Sequence, residues 1–208
     1  MKKIDKLPEP HKWIEFRNTP NVSYQSIPEL KDSLYQEQGY ICAYCMRRIP
    51  CKDPLFTVDH KIEHILCRDN HPELRLNYSN MVVCCPGNIG GSGFHCDTLK
   101  DNRDISFSPF DDDFIDTISY SKNGIIKSSN PLYDDEINNV LGLNNPLLKI
   151  NRAEALQGVI RALDKNGWSK SHIKKYLNKW NDKDKDGKFK EYCGIVIYFL
   201  QKRLKQFR

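Results

Sequence analysis

Cys42 and Cys45 stand two residues apart in the stretch CAYC, and a little further on come VDHKIEH, a second pair of adjacent cysteines at Cys84 and Cys85, and His95 beside Cys96. A Cys-x-x-Cys pair serves as a zinc half-site, a redox pair or half of a disulfide framework. The chain has 8 cysteines in 208 residues, and its beginning, MKKIDKLPEP, has no apolar run of the secretory kind. A reducing, cytoplasmic setting is therefore expected, where clustered thiols bind metal rather than form disulfides. A tetrahedral zinc needs two more soft ligands than Cys42 and Cys45 supply. The candidates are Cys84, Cys85, His95 and Cys96; neighbours in sequence do not readily serve one ion together, and Cys85 and Cys96 are taken as the second half. Cys51, Cys67 and Cys193 read as small, partly buried residues.

VDHKIEH holds two acidic-histidine pairs, Asp59-His60 and Glu63-His64, with Asn80 and Asp97 downstream. Hydrolysing a phosphodiester calls for a base to take a proton from water, a cation to stabilise developing charge, and a leaving oxygen held in line. A neutral histidine suits the first role and paired carboxylates the second. On a strand, residues 60 and 64 share a face, which predicts His60 at the rim of any site built around His64 and in contact with phosphate.

The order of these elements resembles the HNH nucleases. Their pattern runs from an acidic residue followed by His and Ile, through an Asn, to a Cys-polar-x-x-Lys ending inside a four-cysteine zinc knuckle. Glu63-His64-Ile65, Asn80 and Cys96-Asp97-Thr98-Leu99-Lys100 follow it. The resemblance implies an α+β protein with a ββα-metal core and a structural zinc on Cys42, Cys45, Cys85 and Cys96. It also implies His64 as general base, Glu63 and Asp97 as ligands of a catalytic Mg²⁺ or Mn²⁺, Asn80 as a brace for the His-bearing loop, and Lys100 as a nucleic-acid contact. More specifically, CAYCMRRI, IEHI, LNYSNMVVCC, FHCDTLK and EINNVLGLNNPLL are similar to the HNH subunit of Septu and retron-associated Septu-type anti-phage systems. Such a subunit works beside an ABC-type ATPase, in some systems with a reverse transcriptase and its noncoding RNA, and cuts nucleic acid, DNA or structured RNA. Two positions depart from the pattern: Cys67 stands where the family usually has Pro, and Pro86 to His95 spread the second cysteine pair. A zinc-ribbon module that binds nucleic acid or protein without cutting is the alternative.

These residues need elements to hold them. Ser26-Ile27-Pro28-Glu29 predicts a capping box for a helix that ends at Gly39 and delivers the chain into CAYC. Phe56 to Val58 and Met81 to Val83 predict two strands. PGNIGGSG lacks the ending of a phosphate-cradling P-loop and reads as a flexible insertion. Beyond about residue 104 the pattern turns helical: a helix capped by Asn151 and stopped at Gly167, one begun by Ser169, and a last one over about 190–206. DKDKDG matches the first half of an EF-hand loop, but Cys193 stands where the bidentate Glu belongs, so a polar turn is expected. The segments expected are an extension at 1–29, the nuclease core at 30–105 and a mainly helical part at 106–208. Charge divides along the chain: residues 101–136 carry nine acidic and three basic side chains, residues 165–208 thirteen basic and four acidic. Lys202, Arg203 and Lys205 in that basic tail are candidates for the nucleic-acid backbone. No apolar run approaches the roughly 20 residues that span a bilayer, so no membrane partner is expected.

Overall fold

Pro28 follows an extended Ile27, and its fixed φ starts a helix, α2 (Pro28–Glu37), without any side-chain cap. The capping box expected at Ser26 is thus not used. Leu30 and Leu34, one turn apart on α2, are fully buried beside Trp13 of α1 (His11–Arg17). The computed structural model describes residues 1–50, 60–88 and 93–207. Cys51, the run Phe56 to Val58 and Asp59 lie outside the described residues.

Two short strands follow. β1 (Lys61–His64) pairs antiparallel with β2 (Met81–Cys84), Glu63 opposite Val82 and His64 opposite Met81. The strand partner of MVVC is therefore KIEH itself. Every residue of β2 is buried, which suits its continuous apolar run. A five-residue helix, α3 (Cys96–Lys100), comes next. Then α4 (Asp112–Thr117) runs into a second hairpin of β3 (Ile118–Tyr120) and β4 (Ile126–Ser128). A short α5 (Pro131–Asp135) continues as a π turn over Glu136–Val140.

Three helices complete the chain: α6 (Pro146–Asn166), α7 (Lys170–Asn181) and α8 (Cys193–Leu204). α6 begins earlier than the Asn151 cap predicts. Asn145 caps it by accepting a hydrogen bond from the Leu147 N–H, and Pro146 takes the first helical position. Asn151 lies within the helix and donates to the Tyr192 hydroxyl at 3.0 Å. Gly167, at φ 90°, ends α6, and Ser169 caps α7 through the His172 N–H. The DKDKDG turn closes on Asp184, whose Oδ1 accepts from the N–H groups of Asp186 and Lys188.

The chain is thus α+β, with eight α-helices and two two-stranded sheets among the described residues. One core gathers Trp13, Leu30, Leu34, β2, Phe107, Phe114 and Leu148, so packing runs across positions 29/30 and 105/106. A smaller core joins Leu156, Val159 and Leu163 of α6 to Ile173 of α7 and to Ile195, Val196 and Leu200 of α8. No helix among the described residues is long and apolar enough to cross a membrane.

Candidate metal centre and catalytic cleft

The CAYC segment is a tight loop closed by a bridge between Ile41 and Arg48. Its N–H groups turn inward, Cys42 N–H to Arg47 O at 2.8 Å and Met46 N–H to Cys42 O at 3.0 Å. Gln38, just past α2, fastens the loop to the sheet. Its amide donates to Ile41 O at 2.9 Å and Val83 O at 2.8 Å and accepts from Val83 N–H at 2.6 Å. The first cysteine pair therefore sits against the end of β2, where Cys85 follows.

Cys96 arrives from the other side at the start of α3. The sulfurs of Cys42, Cys45, Cys85 and Cys96 all lie within 4.8 Å of one another, and the four side chains are buried. Cys42 and Cys96 are 3.9 Å apart and Cys45 and Cys85 3.6 Å. Four sulfurs around zinc at about 2.3 Å stand about 3.8 Å from each other, so the spacing fits a tetrahedral site. These cysteines can hold a metal such as zinc. Burial opposes any thiolate here, yet hydrogen bonds from the neighbouring thiols hold Cys42 well below the usual thiol range. Cys96 is pushed well up by burial and by Cys42, and Cys85 by hydrogen bonds with Cys42 and Cys45. A dication bound by the four would favour their thiolate forms.

Cys84 and His95 stand beside the four. Cys84 is buried on β2. His95 has Nδ1 3.2 Å from Cys96 Sγ and 3.9 Å from Cys85 Sγ, which places a ring nitrogen against two of the four sulfurs. The turn out of Cys85 needs glycine: Gly87 has φ 75°, and a Cβ there would lie 2.0 Å from His95 O.

A second cluster lies on β1 and α3. Alternation along β1 sends Lys61 and Glu63 to one side, toward α3. Lys61 Nζ is 2.6 Å from Asp97 Oδ2, and Lys100 Nζ is 2.7 Å from Glu63 Oε1. Glu63 Oε1 is buried, and the Lys100 ammonium is its partner. Glu63 and Asp97 also share a hydrogen bond. Burial, with Asp97 adding to it and Lys100 opposing, pushes the Glu63 carboxyl up to about 8. For Asp97, burial works upward, but hydrogen bonds from Glu63 and Lys61 outweigh it and hold the group below its ordinary value. The two carboxyls are therefore pushed apart, Glu63 toward the protonated form and Asp97 toward the ionised one.

Lys100, expected to reach nucleic acid, is only 1% exposed and points inward. Besides pairing with Glu63 it donates to His64 O at 3.1 Å. The helix is so short that its last residue still faces the strand, and the buried carboxylate holds the ammonium there.

His64 ends β1, buried, with its ring edge-on to Tyr24 at 4.8 Å between centroids. Its Nε2 lies 3.0 Å from Arg75 O. A carbonyl only accepts, so Nε2 carries the proton and Nδ1 keeps the lone pair. Burial, more than the Arg68 and Lys100 charges, lowers the imidazole to about 4 despite the hydrogen bond to Arg75. The ring is neutral at physiological pH. Asn80 braces the next turn: its Oδ1 accepts from Leu66 N–H and its Nδ2 donates to Leu66 O, both at 2.9 Å. Ile65 N–H adds a bond to Asn80 O at 3.0 Å.

Glu63, His64 and Asp97 border one open cleft of about 360 Å³, with Lys61, Arg68 and Asn102 on its walls. His60 does not border it. The residue precedes β1, so the parity argument from strand alternation does not reach it, and its ring lies 5.3 Å from that of Tyr35. Lys202, Arg203 and Lys205 are exposed on the last turn of α8 and just beyond it, and none borders this cleft. Sequence reasoning missed Lys61 as a partner of Asp97, although its alternation with Glu63 along a strand carries that signal. It also missed Arg75, whose contribution is a backbone carbonyl and leaves no trace in residue type.

Compared with known proteins, the sequence matches no family model and no curated protein.

Proposed function

We propose that the chain is a metal-dependent nuclease of the HNH kind, hydrolysing phosphodiester bonds in DNA or structured RNA. The observation that carries this reading is the meeting of Glu63, Asp97 and an oriented, neutral His64 at one cleft, apart from the four cysteines. The succession β1, β2, α3 supports a ββα core with a structural zinc behind it.

In this reading His64 takes the proton of the attacking water on Nδ1. The Arg75 carbonyl fixes the tautomer, and burial keeps the ring unprotonated. Asn80 holds the turn after His64, and Lys100 fixes both the Glu63 carboxyl and the His64 carbonyl, so the two acting residues keep their relative position. Glu63 and Asp97 would hold Mg²⁺ or Mn²⁺. Two carboxyl groups on the wall of one cleft, with Asp97 held toward its ionised form, suit a hard cation. Such a cation supplies stabilisation of charge developing on the phosphoryl oxygens. The cysteine site would tie the CAYC loop, the end of β2 and the start of α3 together within the main core.

The resemblance extends the proposal to an anti-phage complex, with the part after residue 105 docking an ABC-type ATPase and, in some systems, a reverse transcriptase with its noncoding RNA nearby. Co-purification with the products of neighbouring genes tests that extension.

One observation favours a zinc module that binds without cutting: Lys61 and Lys100 already sit against Asp97 and Glu63 at 2.6 and 2.7 Å, where a cation would have to displace them. The deciding experiment is cleavage of DNA and of tRNA by the purified chain with and without Mg²⁺ or Mn²⁺, beside His64→Ala. Cation-dependent cutting lost in the variant supports the nuclease. No cation-dependent cutting in any condition while nucleic acid is bound supports the module; cation-dependent cutting kept in His64→Ala places the base at another residue.

A further inference from the structure

The basic tail does more than spread charge over a surface. A cleft of about 480 Å³ opens between the β3 end and helices α6 and α8, within the roughly 300–1,000 Å³ range of small-ligand sites. Trp168, Tyr198 and Phe199 form its aromatic walls, with Tyr120 among the lining residues. All four rings are half-buried, and Tyr120, Trp168 and Phe199 also pack against the smaller core.

The polar border of this cleft has one sign. Lys122, Lys202 and Arg203 line it and no acidic residue does. Arg203 lies over the Trp168 ring at 5.3 Å and Lys202 near the Tyr198 ring at 6.0 Å, so each cation stands within reach of a phosphate flanking a base that takes its place on the ring. Asp164, the acid near Trp168, is turned to the indole N–H at 2.8 Å. An apolar peptide would not call for three cations at the border, and an acidic peptide would leave the aromatic walls unused. Flat rings joined to phosphates use both.

We infer that this cleft binds an unpaired nucleotide of single-stranded nucleic acid, stacking the base on Trp168 or Tyr198 while Lys122, Lys202 and Arg203 meet the flanking phosphates. The inference rests on the nuclease reading for its biological sense, since it makes the helical part a substrate-holding site that shares no lining residue with the Glu63 cleft. Duplex ends held in stacked pairs offer no free base, so the cleft selects single-stranded regions such as loops or tails. Aromatic stacking of this kind tolerates sequence.

The test is binding of a short, labelled, mixed-sequence single strand to the full chain, read by fluorescence anisotropy in zinc-containing buffer without Mg²⁺ or Mn²⁺. Trp168→Ala should weaken binding about 5- to 100-fold, the range for losing one base–aromatic stack. Because Trp168 also packs beside Phe199, the exposed pair Lys122→Gln with Lys202→Gln serves as the second variant. It should weaken binding and flatten the salt dependence without touching the fold. Wild-type affinity in both variants overturns the inference, and so does a duplex of the same sequence binding as tightly as the strand. AMP binding as tightly as the strand also overturns it, in favour of a mononucleotide site. Cleavage is scored separately: lost single-strand binding in a chain that never cuts removes the nuclease reading and leaves this site standing, and intact binding in a variant of a chain that cuts does the reverse.

Discussion

Lys100→Met asks whether this lysine positions the site or touches substrate. The side chain is 1% exposed, its ammonium is 2.7 Å from Glu63 Oε1, and it donates to His64 O. Removing one member of a buried ion pair costs about 3 to 5 kcal/mol, because the other charge is left without compensation. The unfolding is run at pH 9, above the raised Glu63 value of about 8, so that the carboxylate is charged; the lower end applies because, once the ammonium is gone, the carboxyl takes up a proton. With a urea slope of about 2 to 3 kcal/mol/M, a loss of about 3 kcal/mol lowers the unfolding midpoint by about 1 to 1.5 M. The assay is urea unfolding in zinc-containing buffer without Mg²⁺ or Mn²⁺, on the wild type, Lys100→Met, Glu63→Gln and the double variant. The double variant should recover part of the loss, giving a coupling of about 1 to 3 kcal/mol. Nucleic-acid binding is the independent readout. A lysine inside the protein releases no counterion, so the slope of log affinity against log salt should stay unchanged, whereas loss of a phosphate contact on duplex DNA removes about 0.9 from it. An unchanged midpoint together with a reduced salt slope would refute the buried-pair reasoning and return Lys100 to the surface.

The remaining predictions concern the metal, the base and its brace. The purified protein should contain one zinc per chain, and Cys42→Ser or Cys85→Ser should lose that zinc and much of the soluble yield, as elemental analysis and gel filtration would report; a folded wild type free of zinc is the contrary result. His64→Ala should lower Mg²⁺-dependent cleavage by roughly 10² to 10⁴-fold with zinc content and melting temperature unchanged, while His60→Ala keeps measurable activity; the opposite ranking under saturating Mg²⁺ would move the active site to the earlier acidic-histidine pair. Asn80→Ala leaves the Leu66 N–H and C=O without their partner, so thermal unfolding should show a loss of about 1 to 3 kcal/mol, and an unaltered melting temperature would remove Asn80 from the brace.

The residue types of the metal centre were legible because ligand chemistry is local: thiols at CAYC, a second cysteine near residue 85 and a third group near 96 read directly from spacing. The choice among adjacent candidates depended on where two turns bring their sulfurs, and the geometry gathers Cys85 and Cys96 with the first pair while His95 stands behind them. Helix ends marked by single residues, Gly167 and Ser169, were equally legible, because a cap acts within one turn. Asn151 misled because Asn145-Pro146 offers an equally good start earlier, and Leu148, buried in the main core, draws the extra turn into the fold. KIEH was hidden as a strand by its charges, since what makes it one is pairing with an all-apolar β2 and ion pairs with α3 that sequence separation conceals. The same pairing decides the site. Sequence alone supplied Glu63, His64, Asn80, Asp97 and Lys100; only the tertiary structure turned Lys100 inward, set His60 against Tyr35 and gave His64 its tautomer from the Arg75 carbonyl. Those outcomes depend on burial and on backbone atoms, and neither is written in the identity of a residue.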